Sequence, residues 1–198
     1  VTRPALHEFA EPNWQAPLDP QKALLAIAET ATITGMFLEP IAKEARRRRI
    51  ALPSARERYV AFRFYPLREH VRLLIEACAE FYPDRPLRLA MRSLGRAAPA
   101  ALLTSTLGRA SVGSAQGTLA IIEAMAKSYA VNLPGSNVVL LEPSKHDCIV
   151  RLSGVPYFLD SHQVGVFEGV LRYAGIKDGS VLLRSHSSTD ADLLCRWS

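Results

Sequence analysis

The segment VPYFLDSHQVGVFEGVLRYAG, residues 155–175, decides how the chain is put together. Its spacing predicts one helix entered through Asp160 and Ser161, either of which can accept the first-turn N–H groups. Gly175 follows as the residue that closes the last turn. Val166, Val170 and Tyr173 fall on one face, with Phe167 and Leu171 beside them, as in a helix laid on a core. Gly165 and Gly169 stand four residues apart inside it. Each costs about 1 kcal/mol relative to alanine in a helix interior. The pair therefore implies close approach by another backbone or a ligand along a bare glycine ridge. Packing of this helix on a sheet is the plainer expectation.

Strands are predicted on both sides of it. Asn137–Leu141 (NVVLL) and Cys148–Leu152 (CIVRL) precede it, joined by the polar turn Ser144-Lys145-His146-Asp147. Val181–Arg184 and Leu193–Trp197 follow, around Ser187-Ser188-Thr189-Asp190. The first part of the chain is helical in pattern. Asp19-Pro20 predicts an N-cap with proline at the first helical position, opening a short helix with Ala23, Leu24 and Ile27. Ala31–Phe37 has the β-branched content of a strand or extended turn, and a second helix follows Pro40 through Arg49. Pro66–Tyr82 is amphipathic, with Leu67, Val71, Leu74, Ile75, Cys78, Phe81 and Tyr82 as its stripe and Arg72 and Glu76 at ion-pair spacing. A helix capped by Asp84 should end at Gly95, and another should run from Pro99 to Gly108. After Ser111–Gly117 a helix carrying Leu119, Ile122, Met125, Ala126 and Tyr129 should stop at Pro134-Gly135. Helices followed by strand, strand, helix, strand, strand argue an α+β fold, an N-terminal helical half packed on a C-terminal antiparallel sheet. Residues 1–18, with Pro4, Pro12 and Pro17, read as an extended arm and 19–198 as a single α+β domain.

Composition sets the bounds. The chain has 198 residues, 48% hydrophobic and 22% charged, the profile of a globular domain with a sizeable core. No stretch reaches the roughly 18 uncharged apolar residues of a membrane span, and the first residues lack an apolar leader. Cys78, Cys148 and Cys195 form no paired motif and read as reduced thiols, which predicts a cytoplasmic protein. A net charge of +5 permits an acidic partner without requiring nucleic acid.

Catalytic signatures are missing from the sequence. There is no GxSxG, P-loop or GxGxxG, and Gly108–Gly113 has the wrong spacing for a nucleophile elbow. His7, His70, His146, His162 and His186 show no metal-binding spacing; His146-Asp147-Cys148 reads as a hairpin turn, and no metal or cofactor is named. Arg46, Arg47, Arg48 and Arg49 form a candidate anion or partner patch, or the solvated end of a helix whose dipole they complement. With Arg56, Arg58 and Arg63 they are also the weaker candidate for nucleic-acid contact. His162, Gln163 and Glu168 place polar groups on or near the glycine helix and would orient a ligand if that helix borders a cavity; the plainer expectation is that His162 caps or decorates the first turn and Glu168 pairs with Arg172 in solvent. Arg96 and Arg109, each following a helix-ending glycine, either bind an anion or, more simply, tie helix C-terminal carbonyls. Cys78 reads as a buried small hydrophobe. Together with His162, Gly165, Gly169 and Tyr173 it makes up the candidate ligand-lining set.

Three stretches carry a resemblance. VPYFLDSHQVGVFEGVLRYAGIKDG resembles the C-terminal signature of a paralogous myxobacterial family catalogued as a domain of unknown function. FYPLREHVRLLIEACAEFYPDRPLRLAMRSLGRAAPAALLTSTLGRA resembles its central block, and ATITGMFLEP its opening segment. At fold level that family looks related to vinyl-reductase-type small-molecule-binding domains, TRAPP subunits and haem-NO-binding sensors. By that analogy His70 or His162 would be the axial residue for a haem, but the Y-x-S-x-R segment that holds haem propionates in the sensors is absent here. The resemblance implies a non-enzymatic regulatory or sensor domain with a small apolar ligand between the helical half and the sheet. The alternatives are a protein-interaction or homodimerisation module without a ligand, and a basic nucleic-acid-binding patch.

Overall fold

The computed structural model describes residues 5–103 and 117–198. Gly108, Arg109 and residues 111–116, for which a helix end and a linker were expected, lie outside that range. Asp19 accepts the N–H groups of Gln21 and Lys22 and, with Pro20 behind it, starts α1 (Pro20–Leu25) as expected. Thr32–Thr34 (β1) pairs antiparallel with Phe64–Pro66 (β2). α2 (Gly35–Arg48) begins before Pro40 instead of after it. The carbonyls of Arg63 and Ala61 accept the N–H groups of Gly35 and Met36. The first turn is thus capped by the approach to β2, and Pro40 is carried inside the helix.

α3 (Leu67–Phe81) buries Leu67, Val71, Leu74, Cys78 and Phe81 along the predicted stripe. Glu76 turns to the N–H and hydroxyl of Ser54 rather than to Arg72. α4 (Leu87–Leu103) is one continuous helix that contains both Gly95 and Pro99, where two helices were expected. α5 (Thr118–Asn132) buries Ile122, Met125, Ala126 and Tyr129. No helix among the described residues is long and apolar enough to cross a membrane.

The second half builds the sheet. β3 (Asn137–Leu141), β4 (Asp147–Ser153), β5 (Ser180–Ser185) and β6 (Ala191–Arg196) are antiparallel in the order β3-β4-β6-β5. The period of two sends Cys148, Val150, Leu152, Leu193 and Cys195 to the main core and Ile149 and Leu194 to the other face, under Phe9. On that outer face Asp192 lies in register between Arg151 of β4 and Arg184 of β5 and accepts hydrogen bonds from both. Burial pushes its carboxyl up, but the hydrogen bonds from Arg151, Arg184 and His186 prevail and hold it well below the usual carboxylate range. Ala10 exchanges backbone hydrogen bonds with Leu183, so the N-terminal segment lies along the β5 edge.

Between the two hairpins runs α6 (Val164–Tyr173), ended by Gly175 at φ +88°. Neither Asp160 nor Ser161 caps it. The chain enters instead through a π-helical turn, Leu159–Gln163, preceded by Phe158 in a left-handed conformation at φ +47°. An α+β fold with strand, strand, helix, strand, strand in its second half results, as the sequence predicts.

Candidate functional site

α6 packs on α4 so closely that glycine is the only residue that fits at three points. A Cβ on Gly165 would overlap the Arg92 carbonyl, 2.9 Å from its carbon. One on Gly169 would meet the Arg96 carbonyl carbon and the Pro99 ring at 3.0 Å, and one on Gly95 would overlap the His162 carbonyl. The glycine ridge is therefore filled by a helix backbone, and neither glycine faces a ligand-sized opening. This contact also explains why α4 runs through Gly95 and Pro99. Its packing against α6 outweighs the local preference of both residues to end a helix.

The joint carries charge at its rim. Glu168 is buried and receives the guanidinium groups of both Arg92 and Arg96, with the two Nε atoms 2.9 and 3.0 Å from Oε2. The solvent pairing with Arg172 expected for Glu168 is thus replaced by a pairing across the helices. Arg96 ties no helix end, because α4 does not end at Gly95. One turn earlier Arg88 pairs with Asp160 and donates to the Ala16 carbonyl at 2.9 Å. Trp14 stacks 4.1 Å from the Arg92 guanidinium. Glu168→Gln should cost about 2 kcal/mol, since the two arginines lose an ionised acceptor but reach some solvent. Urea unfolding at neutral pH measures it.

Behind this joint lies a buried cluster of polar side chains. α3 contributes His70, α5 contributes Tyr129, and the turn before α6 contributes Tyr157, Ser161, His162 and Gln163. Tyr157 is the hub, its ring 5.5 Å from His70 and 6.0 Å from His162, and Phe37 closes on His70 at 6.3 Å and on Tyr129 at 5.9 Å. The Tyr129 hydroxyl donates to Gln163 Oε1. Among the described residues, four buried atoms here have no hydrogen-bond partner: both ring nitrogens of His70, His162 Nδ1 and Ser161 Oγ. His70 and His162 are only 1% and 4% exposed. Burial, joined by the charge of His162, brings His70 down to about 3, and burial alone brings His162 to about 4, so both imidazoles are neutral near pH 7. Burial also pushes Tyr157 up to about 12, against a lesser opposing pull from Gln163.

The residues singled out in the sequence are scattered by comparison. Of the ligand-lining set only His162 belongs to this cluster, beside His70, which the haem analogy had named. Cys78 sits further along α3 in the apolar core, its thiol pushed up to about 12 by burial. Tyr173 is 39% exposed at the end of α6. Of the arginine run, Arg46 holds Glu39 and the Glu57 carbonyl, Arg47 and Arg48 share Glu44, and Arg49 ends α2 in a left-handed conformation. Hydrogen bonds from Arg47 and Arg48 bring Glu44 to about 2. His146 and Asp147 donate their backbone N–H groups to the Ser144 hydroxyl in a hairpin turn. His70 and Tyr129 were legible as polar groups at stripe positions of α3 and α5; Tyr157 had no such signal.

The family model described as "Protein of unknown function (DUF2378)" matches residues 26–198. The chain belongs to this family. No curated protein matches it. Solved structures with a similar fold include an Fe(II) unliganded H-NOX protein from K. algicida, with 11% identity and TM-score 0.60 over 84% of this chain and 97% of that one. An oxygen-binding H-NOX domain related to soluble guanylate cyclases matches with 9% identity and TM-score 0.62 over 83% and 92%. A third, from work on haem redox potential and porphyrin distortion, matches with 11% identity and TM-score 0.66 over 83% and 100%. At such identities the likeness is one of fold.

The residues of the cluster do not fit a haem. A porphyrin needs a wide flat slot off the nitrogen edge of an axial imidazole, and here aromatic side chains crowd both histidines, Phe37 and Tyr157 at 6.3 and 5.5 Å from His70 and Tyr157 at 6.0 Å from His162. The cluster residues named above include no arginine or lysine that would hold propionates.

Proposed function

We propose that this chain is a regulatory or sensor domain that takes a small uncharged molecule at the His70–Tyr157–His162–Gln163 cluster, a role of binding rather than catalysis. The observation that carries the proposal is the convergence of partnerless polar atoms from α3, Ser161 and His162 on one buried region. Buried polar groups without partners are expensive, and a bound molecule that both donates and accepts hydrogen bonds relieves them. An ion is disfavoured because both imidazoles are neutral and no ionised side chain belongs to the cluster. The left-handed Phe158 and the π turn give a second support, since such backbone features concentrate where a chain must move or bind. The fold likeness to a domain described as oxygen-binding agrees with a sensing role.

Occupancy would be read through the turn. The carbonyl of His162 rests on Gly95, and Asp160 holds Arg88, which in turn holds residues 16 and 17. A shift of the turn is therefore felt by α4 and by the N-terminal segment. Native mass spectrometry of the freshly purified chain, followed by the same sample denatured, is expected to show a small mass excess that vanishes on denaturation. A bare native mass, with no rise in melting temperature in pyrazole or formamide as neutral donor–acceptor probes, would remove the proposal.

A further inference from the structure

We infer that the loop Arg58–Phe64 docks the protein on an anionic lipid surface. Three apolar side chains on this loop stand out of the fold, with Val60 55%, Phe62 61% and Phe64 49% exposed. Buried residues bracket them on either side. Tyr59 and Tyr65 are buried and meet edge to face with centroids 5.0 Å apart, and the Tyr65 hydroxyl accepts the Val60 N–H at 2.9 Å. The loop is further fixed by the carbonyls of Ala61 and Arg63, which accept the first two N–H groups of α2 at 2.9 Å each. Gly35 is what lets it sit there, since a Cβ would overlap the Val60 carbonyl. Two tyrosines, a glycine and a helix end thus hold a tip whose apolar side chains point outward.

Charge selects the partner. Residues 58–68 contain Arg58, Arg63 and Arg68 and no acid, and Arg58 and Arg63 are exposed. Of the neighbouring charges, Glu39 is held by Arg46, Glu69 by Arg56 and Arg68 by Glu29, which leaves Arg58 and Arg63 against Glu57 and a net positive tip. Size separates a membrane from a protein partner. Three half-exposed side chains offer roughly 250 Å², against about 800 Å² per partner in a stable protein interface. A small aromatic tip flanked by arginines suits shallow insertion among anionic headgroups, where apolar burial and electrostatic attraction act together.

The test is co-sedimentation with vesicles of phosphatidylcholine alone and of phosphatidylcholine mixed with phosphatidylglycerol. The wild-type chain is expected to bind the mixed vesicles, less so as salt rises, and to leave the neutral ones in the supernatant. F62S/F64S should weaken that binding about tenfold or more, with an unchanged far-ultraviolet circular dichroism spectrum because both residues are on the surface. Equal binding by F62S/F64S would show attraction by charge alone and overturn the inference, as would no wild-type binding at low salt. Loss of a concentration-dependent dimer in F62S/F64S, without vesicle binding by the wild type, would assign the tip to a second copy of this chain instead.

Discussion

Gly165→Ala should destabilise the protein by about 3 kcal/mol, although alanine is the better helix former by about 1 kcal/mol. The new methyl group would overlap the carbonyl of Arg92, a backbone group in the middle of α4 that cannot rotate aside as a side chain would. Relief requires the two helices to move apart. Such a shift would loosen the Glu168 contacts with Arg92 and Arg96 and the seat of the His162 carbonyl on Gly95. Urea unfolding at neutral pH is the measurement, with a lower midpoint and an unchanged slope as the expected result. Gly169→Ala should behave alike, and the double variant should cost less than the sum because one displacement serves both sites. A gain of stability at either position would mean that α4 can retreat freely.

These glycines show where sequence and structure part. The pair at 165 and 169 signalled close approach, and close approach is what the fold contains, but the partner was a helix and not a sheet or a ligand. A single chain shows which residue is missing a side chain, not what fills the space. Gly95 was harder still. By local preference it ends a helix, and only the His162 carbonyl lying against it reveals its use. Pro40 and Pro99 misled for the same reason, since each is retained inside a helix whose stability comes from tertiary contacts. The strands behaved better. The apolar, β-branched runs NVVLL and CIVRL were placed nearly residue for residue, as β3 at Asn137–Leu141 and β4 at Asp147–Ser153, because a strand's signal lies in adjacent residues. Of the candidate site, His162 and Gln163 were legible as polar residues at the mouth of a glycine-bearing helix. Their convergence with His70 and Tyr129 was not, because it joins positions roughly ninety and thirty residues apart through Tyr157, which carries no periodic signal. Glu168 was misplaced for a related reason: its nearest cation in sequence, Arg172, is not its nearest in space.

Between about pH 7.5 and pH 5 the protein is expected to lose about 4 kcal/mol of stability from His70 and His162 alone. Burial keeps the two at about 3 and about 4 in the fold, against about 6.5 in the unfolded chain. Above pH 6.5 both states are neutral at these positions and the stabilisation is fully present. As pH falls below that value the unfolded chain binds protons that the folded one refuses, which costs about 1.4 kcal/mol per pH unit for each histidine. The decline ends for His162 near pH 4 and for His70 near pH 3, where the fold itself takes up the proton. Asp192, held below the usual range, and Glu44, at about 2, lose their stabilising ionisation further down the scale, outside the window from pH 6.5 to 5. Urea titrations of the wild type, His70→Leu and His162→Leu at several values across that window isolate the effect, each substitution removing about half of the slope. A flat wild-type profile would mean that each imidazolium finds an acceptor inside the fold. The cluster would then be suited to an anion, and the uncharged ligand proposed for it would be wrong.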